Sequence, residues 1–212
     1  MTRYSTSLAA AFLCSTLIVA PGRAFGESHI PDEPGPCEVG HTYVVAVDSA
    51  RGDRQLPLNI WYPVDDADHV GDFTLYPLLG PLGITSTVAI DDVPASAGGQ
   101  RNLIVFSHGF GGIGLQSIRL MEHLASHCFV VVSPDHTGNT SFDNSSPNPE
   151  ADRYPDIKFV IDYMEERNNE PGGAFEGRVD TSSVGVAGHS YGGMTSMFMA
   201  AGYAPNPADP RP

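Results

Sequence analysis

The stretch Val184-Gly185-Val186-Ala187-Gly188-His189-Ser190-Tyr191-Gly192-Gly193 decides the fold. A short apolar segment of strand type runs into G-x-S-x-G, and a Met- and Ala-rich segment of helical character follows from Tyr191 to Ala201. Strand, sharp turn and helix form the context in which a serine is held out on a strained turn as a nucleophile. Gly188 and Gly192 stand two residues either side of Ser190, where a side chain would collide with the tight backbone. A glycine-rich turn with an incidental serine is the competing reading, and the flanking strand and helix argue against it.

Working outward, Leu103-Ile104-Val105-Phe106 and Phe129-Val130-Val131-Val132 are continuous apolar runs of the buried-strand type. Between them Leu115, Ile118, Met121 and Leu124 recur at helical spacing. Ile157, Val160, Ile161 and Met164 mark another helix, with Pro155 expected near its first turn, where a missing N–H does no harm. Such alternation predicts an α/β fold with a mostly parallel sheet covered by helices on both faces. Tyr43–Val47 and Gln55–Tyr62 read as two strands joined by turn residues Ser49 to Asp53. Residues 64–101 lack a clear period and read as a long connection.

A rival motif lies after the first of these runs. Gly109, Gly111 and Gly114 satisfy G-x-G-x-x-G, with Asp135 about 20 residues on, which is the pattern of a dinucleotide-binding turn. Ser107-His108 interrupts the strand before the first glycine, and Pro134 precedes the acid. The same loop also fits half of an oxyanion hole, in which one N–H follows the nucleophile and the other comes from the loop after an earlier strand. Those donors would be the backbone amides of Tyr191 and Phe110.

Five ordered segments carry a resemblance: Ser107-His108-Gly109-Phe110-Gly111-Gly112, Leu124-Ala125-Ser126-His127, Pro134 to Thr140, Tyr154-Pro155-Asp156-Ile157, and Gly188 to Gly193. Together they resemble the α/β-hydrolase family of predicted dienelactone hydrolases and platelet-activating factor acetylhydrolases, from about Val39 to Ala201. The resemblance implies a serine ester hydrolase working through an acyl-enzyme, with Ser190 as nucleophile and the Phe110 and Tyr191 amides as oxyanion donors. No metal-ligand spacing appears in the sequence, and no organic cofactor is expected. Dienelactone hydrolases proper use cysteine, so the serine here is like that of the acetylhydrolase and lipase-type relatives.

A serine hydroxyl needs a base, normally His oriented by an acid, and in this fold both follow the serine in chain order. After Ser190 there is no histidine, and the only acid is Asp209. The expectation is therefore a domain cut short after the nucleophile helix, with the acid and His beyond Pro212 and little activity if the chain is complete. Among earlier histidines, His189 is expected to pack away from the nucleophile and His108 to be structural, while His123 and His127 fall on a covering helix. His136 follows a strand at the carboxyl edge, where the site should lie, but the family carries it without using it as the base. The loop from Asp135 to Asp152 is either a flap beside the substrate or a solvated loop. The alternative to an enzyme is a non-catalytic remnant or binding module, and the remote alternative is dinucleotide binding through Gly109, Gly111 and Gly114.

Residues 1–26 read as a secretory signal: Arg3, an apolar run from Leu8 to Ala20, then small residues around Pro21-Gly22-Arg23-Ala24. The run is shorter than the about 20 residues that span a bilayer, so stable membrane insertion is not expected. Localisation would be secreted or periplasmic. Residues 27–38 read as an extended lead-in, and 39–212 as the N-terminal part of one domain. Cys37 and Cys128 remain after signal removal, either paired as an exported protein allows or with Cys128 as a buried thiol. A net charge of −14 over 212 residues argues against nucleic acid or anionic membrane as partner. The expected partner is a small-molecule, lipid or polymer ester substrate, and the sequence leaves the oligomeric state open.

Overall fold

The computed structural model describes residues 33–79 and 82–202. The signal segment expected at 1–26 and Asp209 lie outside the described residues. The first two strands, β1 (Glu38–Asp48) and β2 (Arg54–Val64), form a long antiparallel pair around the 3-10 turn Ser49–Arg51. Then come β3 (Phe73–Leu79), β4 (Leu82–Asp91), β5 (Arg101–Ser107), α1 (Ile118–Ser126), β6 (Val130–Pro134), α2 (Pro149–Asn169), β7 (Val179–Gly188) and α3 (Tyr191–Ala200). One sheet runs in the order β3-β4-β1-β2-β6-β5-β7. Its β6-β5-β7 half is parallel, as the apolar runs predict, while β1-β2, β2-β6 and β3-β4 are antiparallel.

Alternation along each strand divides the core between the two faces of the sheet. Leu56, Leu58, Ile60, Leu103, Val105, Val130 and Val132 face α2, whose Ile157, Val160 and Met164 close over them. Trp61, Phe106 and Val131 point the other way, against Ile118, Met121 and Ala125 of α1. Each fully buried aliphatic side chain contributes about 1.5–3 kcal/mol, so these two layers supply the main force holding the strand ends in place. A disulfide joins Cys37, just ahead of β1, to Cys128, just ahead of β6, with the Cα atoms 5.5 Å apart. This settles the open reading of the two cysteines in favour of pairing.

The connection expected over 64–101 is corrected: it contains the β3-β4 hairpin, which extends the sheet beyond β1. Part of its polarity pattern is inverted, which is why periodicity concealed it. Phe73, Leu75 and Ile84 are exposed while Thr74, Tyr76 and Ser86 are buried. The buried polar groups are satisfied, because Tyr76 Oη accepts from Trp61 Nε1 at 2.8 Å and donates to Glu122, which also accepts from Ser86 Oγ at 2.6 Å. Two helix boundaries also move. Leu115 stands ahead of α1, and Pro155 lies inside α2, because that helix starts earlier at Pro149, where the Asn148 side chain caps the Ala151 N–H.

Candidate active site

Ser190 occupies the turn between β7 and α3 with φ 53° and ψ −116°, and its side chain is exposed. For a non-glycine residue this conformation costs about 1–3 kcal/mol and persists only when the surroundings enforce it. The glycines on either side show how. A Cβ on Gly192 would stand 1.9 Å from the Ser107 carbonyl oxygen, and one on Gly188 would stand 2.3 Å from the Gly192 carbonyl carbon. Only hydrogen at those positions lets the turn fold this tightly against β5. Tyr191 opens α3, so its N–H is one of the unpaired donors at the positive end of a helix, directly after the serine.

The loop after β5 lies beside this turn. The Phe110 ring meets the Tyr191 ring edge-on at 5.7 Å, so the two residues expected to supply oxyanion donors are neighbours. Gln116 ties the loop to the turn: its Oε1 accepts from the Gly109 N–H at 2.8 Å and its Nε2 donates to His189 Nδ1 at 2.9 Å. His189 is thus an exposed link in this bridge rather than a packed side chain. The loop after β6 docks on the same segment, through Ser141 N–H to the Gly112 carbonyl at 3.1 Å and Ser141 Oγ to the Gly111 carbonyl at 2.5 Å.

Beneath these loops lies a buried polar network. Ser107, His136, Asp156 and Arg153 are all fully buried. His136 Nδ1 donates to Asp156 Oδ2 at 2.9 Å, and since a carboxylate can only accept, Nε2 is the free acceptor for the Ser107 hydroxyl at 2.9 Å. Arg54 donates twice to Asp156, at 2.8 and 2.9 Å, and Arg51 lies 2.7 Å from the same carboxylate. Burial would raise the Asp156 carboxyl, but the bonds from Arg54 and His136 outweigh it and hold the group well below the usual carboxylate range. Burial lowers His136 and keeps it neutral against the pull of Asp156. His108 is pushed down to about 3, by burial first and then by His136 and Arg153. It donates from Nδ1 to the Gly109 carbonyl at 2.7 Å and accepts from the His136 N–H at Nε2.

His108, His136 and His189, the histidines weighed as substitute bases at this edge, therefore all hold other partners. The rival glycine motif also reads differently in three dimensions. α1 starts four residues after Gly114, and Asp135 accepts the Gly114 N–H at 2.5 Å, so the acid is engaged by the glycine loop itself. A cavity of about 500 Å³ lies on the α1 side of the sheet, lined by His41, Tyr43, Asn59, Leu75, Ile113 and Phe142, and Ser190 is not part of its wall.

Sequence reading missed Arg153 as a member of the site and met Asp156 only as part of a motif. Charged residues on a helix read as solvated, yet both fall in register with Ile157, Val160 and Met164, at the start of the same buried stripe of α2. That register was the available signal.

A strained serine turn at the end of a parallel strand, with helices on both faces of the sheet, defines an α/β-hydrolase. A solved ferulic acid esterase from Streptomyces cinnamoneus superposes with a TM-score of 0.57 at 26% identity, over 82% of this chain and 57% of that one. A family profile named chlorophyllase matches residues 86–208, more than half of the chain, and the protein belongs to that family. Cutinase 2 of Thermobifida cellulosilytica is 33% identical over 97 residues, which is 46% of this chain and 33% of the relative. Cutinase cut1 of Thermobifida fusca is 33% identical over 97 residues, 46% of this chain and 27% of that protein. The chain thus spans between a quarter and a third of the length of the curated relatives it matches. These relatives support the serine-esterase level of the sequence expectation.

Proposed function

We propose that this chain is the nucleophile-bearing part of an exported serine ester hydrolase. Ser190 attacks the ester carbonyl to form an acyl-enzyme, and the Phe110 and Tyr191 N–H groups hold the oxyanion. The observation that carries this is the exposed, positive-φ Ser190 at the start of α3 with the Phe110 loop packed on its neighbour. Such preorganised donors are worth a great deal, since losing one lowers the rate about a hundredfold to a thousandfold. In the family's chain order the base and its acid follow the nucleophile, and no histidine follows Ser190 in this sequence, so these 212 residues alone should turn over little. Relatives named cutinase and ferulic acid esterase favour ester substrates, and the resemblance to acetylhydrolases favours short acyl groups. The Cys37–Cys128 bridge supports an oxidising compartment and, with it, the reading of residues 1–26 as a signal.

The test is hydrolysis of p-nitrophenyl butyrate by the whole gene product and its Ser190→Ala variant. Turnover lost in the variant supports the proposal; turnover that survives the substitution overturns it. Robust Ser190-dependent turnover from the 212-residue chain alone would assign the base to one of its own histidines.

A further inference from the structure

The structure assigns Arg153 a role that rests on the serine-hydrolase reading and deepens it. We propose that Arg153 is the positioning residue of the oxyanion hole, fixing and polarising the Gly109–Phe110 peptide so that the Phe110 N–H faces the reacting carbonyl.

The argument begins with what surrounds a fully buried guanidinium. Nη1 donates to the His108 carbonyl at 2.6 Å and to Ser107 Oγ at 3.2 Å, and Nη2 donates to the Gly109 carbonyl at 2.9 Å. Nε and Nη2 both donate to Asn139 Oδ1, at 3.0 and 2.7 Å. Among the described residues no carboxylate bonds it directly, so two consecutive backbone carbonyls and one amide oxygen carry most of the compensation for burying this charge. Burial pulls the group down to about 10, so it remains a cation at neutral pH.

Geometry turns that carbonyl grip into an orientation. The described peptide bonds here are trans, and in a trans peptide the C=O and the following N–H point in opposite directions. The first gripped peptide shows the consequence: the His108 carbonyl points to Arg153, and the Gly109 N–H points away from it, to Gln116. By the same rule, holding the Gly109 carbonyl against Arg153 aims the Phe110 N–H away from the buried cation. Among the described residues no protein acceptor is bonded to that N–H. The guanidinium also lies 5.1 Å from the centre of the Tyr191 ring, so the same buried cation packs against the residue proposed to supply the other donor. A positive charge on a carbonyl oxygen further polarises the peptide and strengthens its N–H as a donor.

Because the oxyanion exists only on the way to and from the tetrahedral intermediate, this device should act on kcat and leave KM alone. The experiment compares wild-type, Arg153→Met and Arg153→Lys whole gene product on p-nitrophenyl butyrate, with Met121→Ala in the α1 core as a control for lost stability. Arg153→Met is expected to lower kcat about a hundredfold with KM within about twofold, as for a lost oxyanion donor. Arg153→Lys, which keeps the charge and can hold one carbonyl, should recover part of that loss. Folded Arg153→Met with unchanged kcat overturns the proposal, and so does an equal fall in kcat for Met121→Ala.

A crystal structure of whichever Arg153 variant folds gives a reading that does not depend on turnover. A Gly109–Phe110 peptide turned away from its wild-type orientation supports the grip, and an unmoved peptide overturns it. If wild-type hydrolysis proves independent of Ser190, the esterase reading fails, while the crystal structure still decides the grip.

Discussion

Two serines stand at the ends of adjacent strands. Ser107 closes β5 in register with Gly188 at the end of β7, and Ser190 lies two residues beyond. Ser107 has the connectivity of a hydrolase triad: its hydroxyl donates to His136, which donates to Asp156. Ser190 has no such chain in the described residues. Connectivity alone would select Ser107, against the proposed role of Ser190. Ser107 is sealed from solvent, its backbone is regular strand, and its oxygen also accepts from Arg153. Ser190 is exposed on a strained turn at a helix N-terminus. A nucleophile needs access to a substrate carbonyl and somewhere for negative charge to go, and burial denies Ser107 the first of these.

The strongest way to break this comparison is to exchange the outcomes of the two serine-to-alanine variants. Ser190→Ala should reduce ester hydrolysis by the whole gene product to background. Ser107→Ala should leave it within about an order of magnitude and lower the melting temperature, since the lost bonds are worth about 1–3 kcal/mol. If Ser107→Ala is the inactive variant, the roles assigned here are reversed.

Asp156→Asn sharpens the contrast from the stability side. It leaves Arg51 and Arg54 around a neutral group, and breaking a buried ionic cluster in this way costs about 3–5 kcal/mol. Urea titration should show the midpoint falling by a corresponding amount. A midpoint shift too small to measure would mean that the network contributes nothing to stability.

The smallest effect is a pH slope. His108 and His136 have folded pKa values below the unfolded value near 6.5, so the native state binds fewer protons there and stability rises with pH. Their contribution is complete above about 6.5 and fades as pH falls toward 3. Asp156 adds a loss of the same sign below its unfolded value of 3.8. Melting temperatures measured from pH 7 downward should therefore decline, and a flat profile would mean that these imidazoles are not held neutral.

Much of this was legible in the chain. Apolar runs at 103–106 and 129–132 predict the parallel strands, and G-x-S-x-G predicts the tight turn that carries Ser190, because strand burial and a tight turn each leave a local signature. The β3-β4 hairpin was hidden because Phe73, Leu75 and Ile84 face outward while Thr74 and Ser86 face inward, opposite to the pattern that reading by hydrophobicity follows. Arg153 and Asp156 were hidden because a charge on a helix is ordinarily solvated, and nothing local to residues 149–169 reveals the carbonyls of 108 and 109 that surround one of them.

The chain's residues alone, then, were enough for the α/β class and the strand and helix alternation, and they put forward Ser190, Phe110 and Tyr191 as candidates. Those depend on periodicity and on glycines whose absent side chains are visible in the text. Only the tertiary structure decided which serine is sealed, that Cys37 reaches Cys128, and that one cation from α2 grips the loop after β5. Each of these joins segments far apart in the chain, and whether a polar group is exposed, paired or gripping a backbone depends on what packs around it.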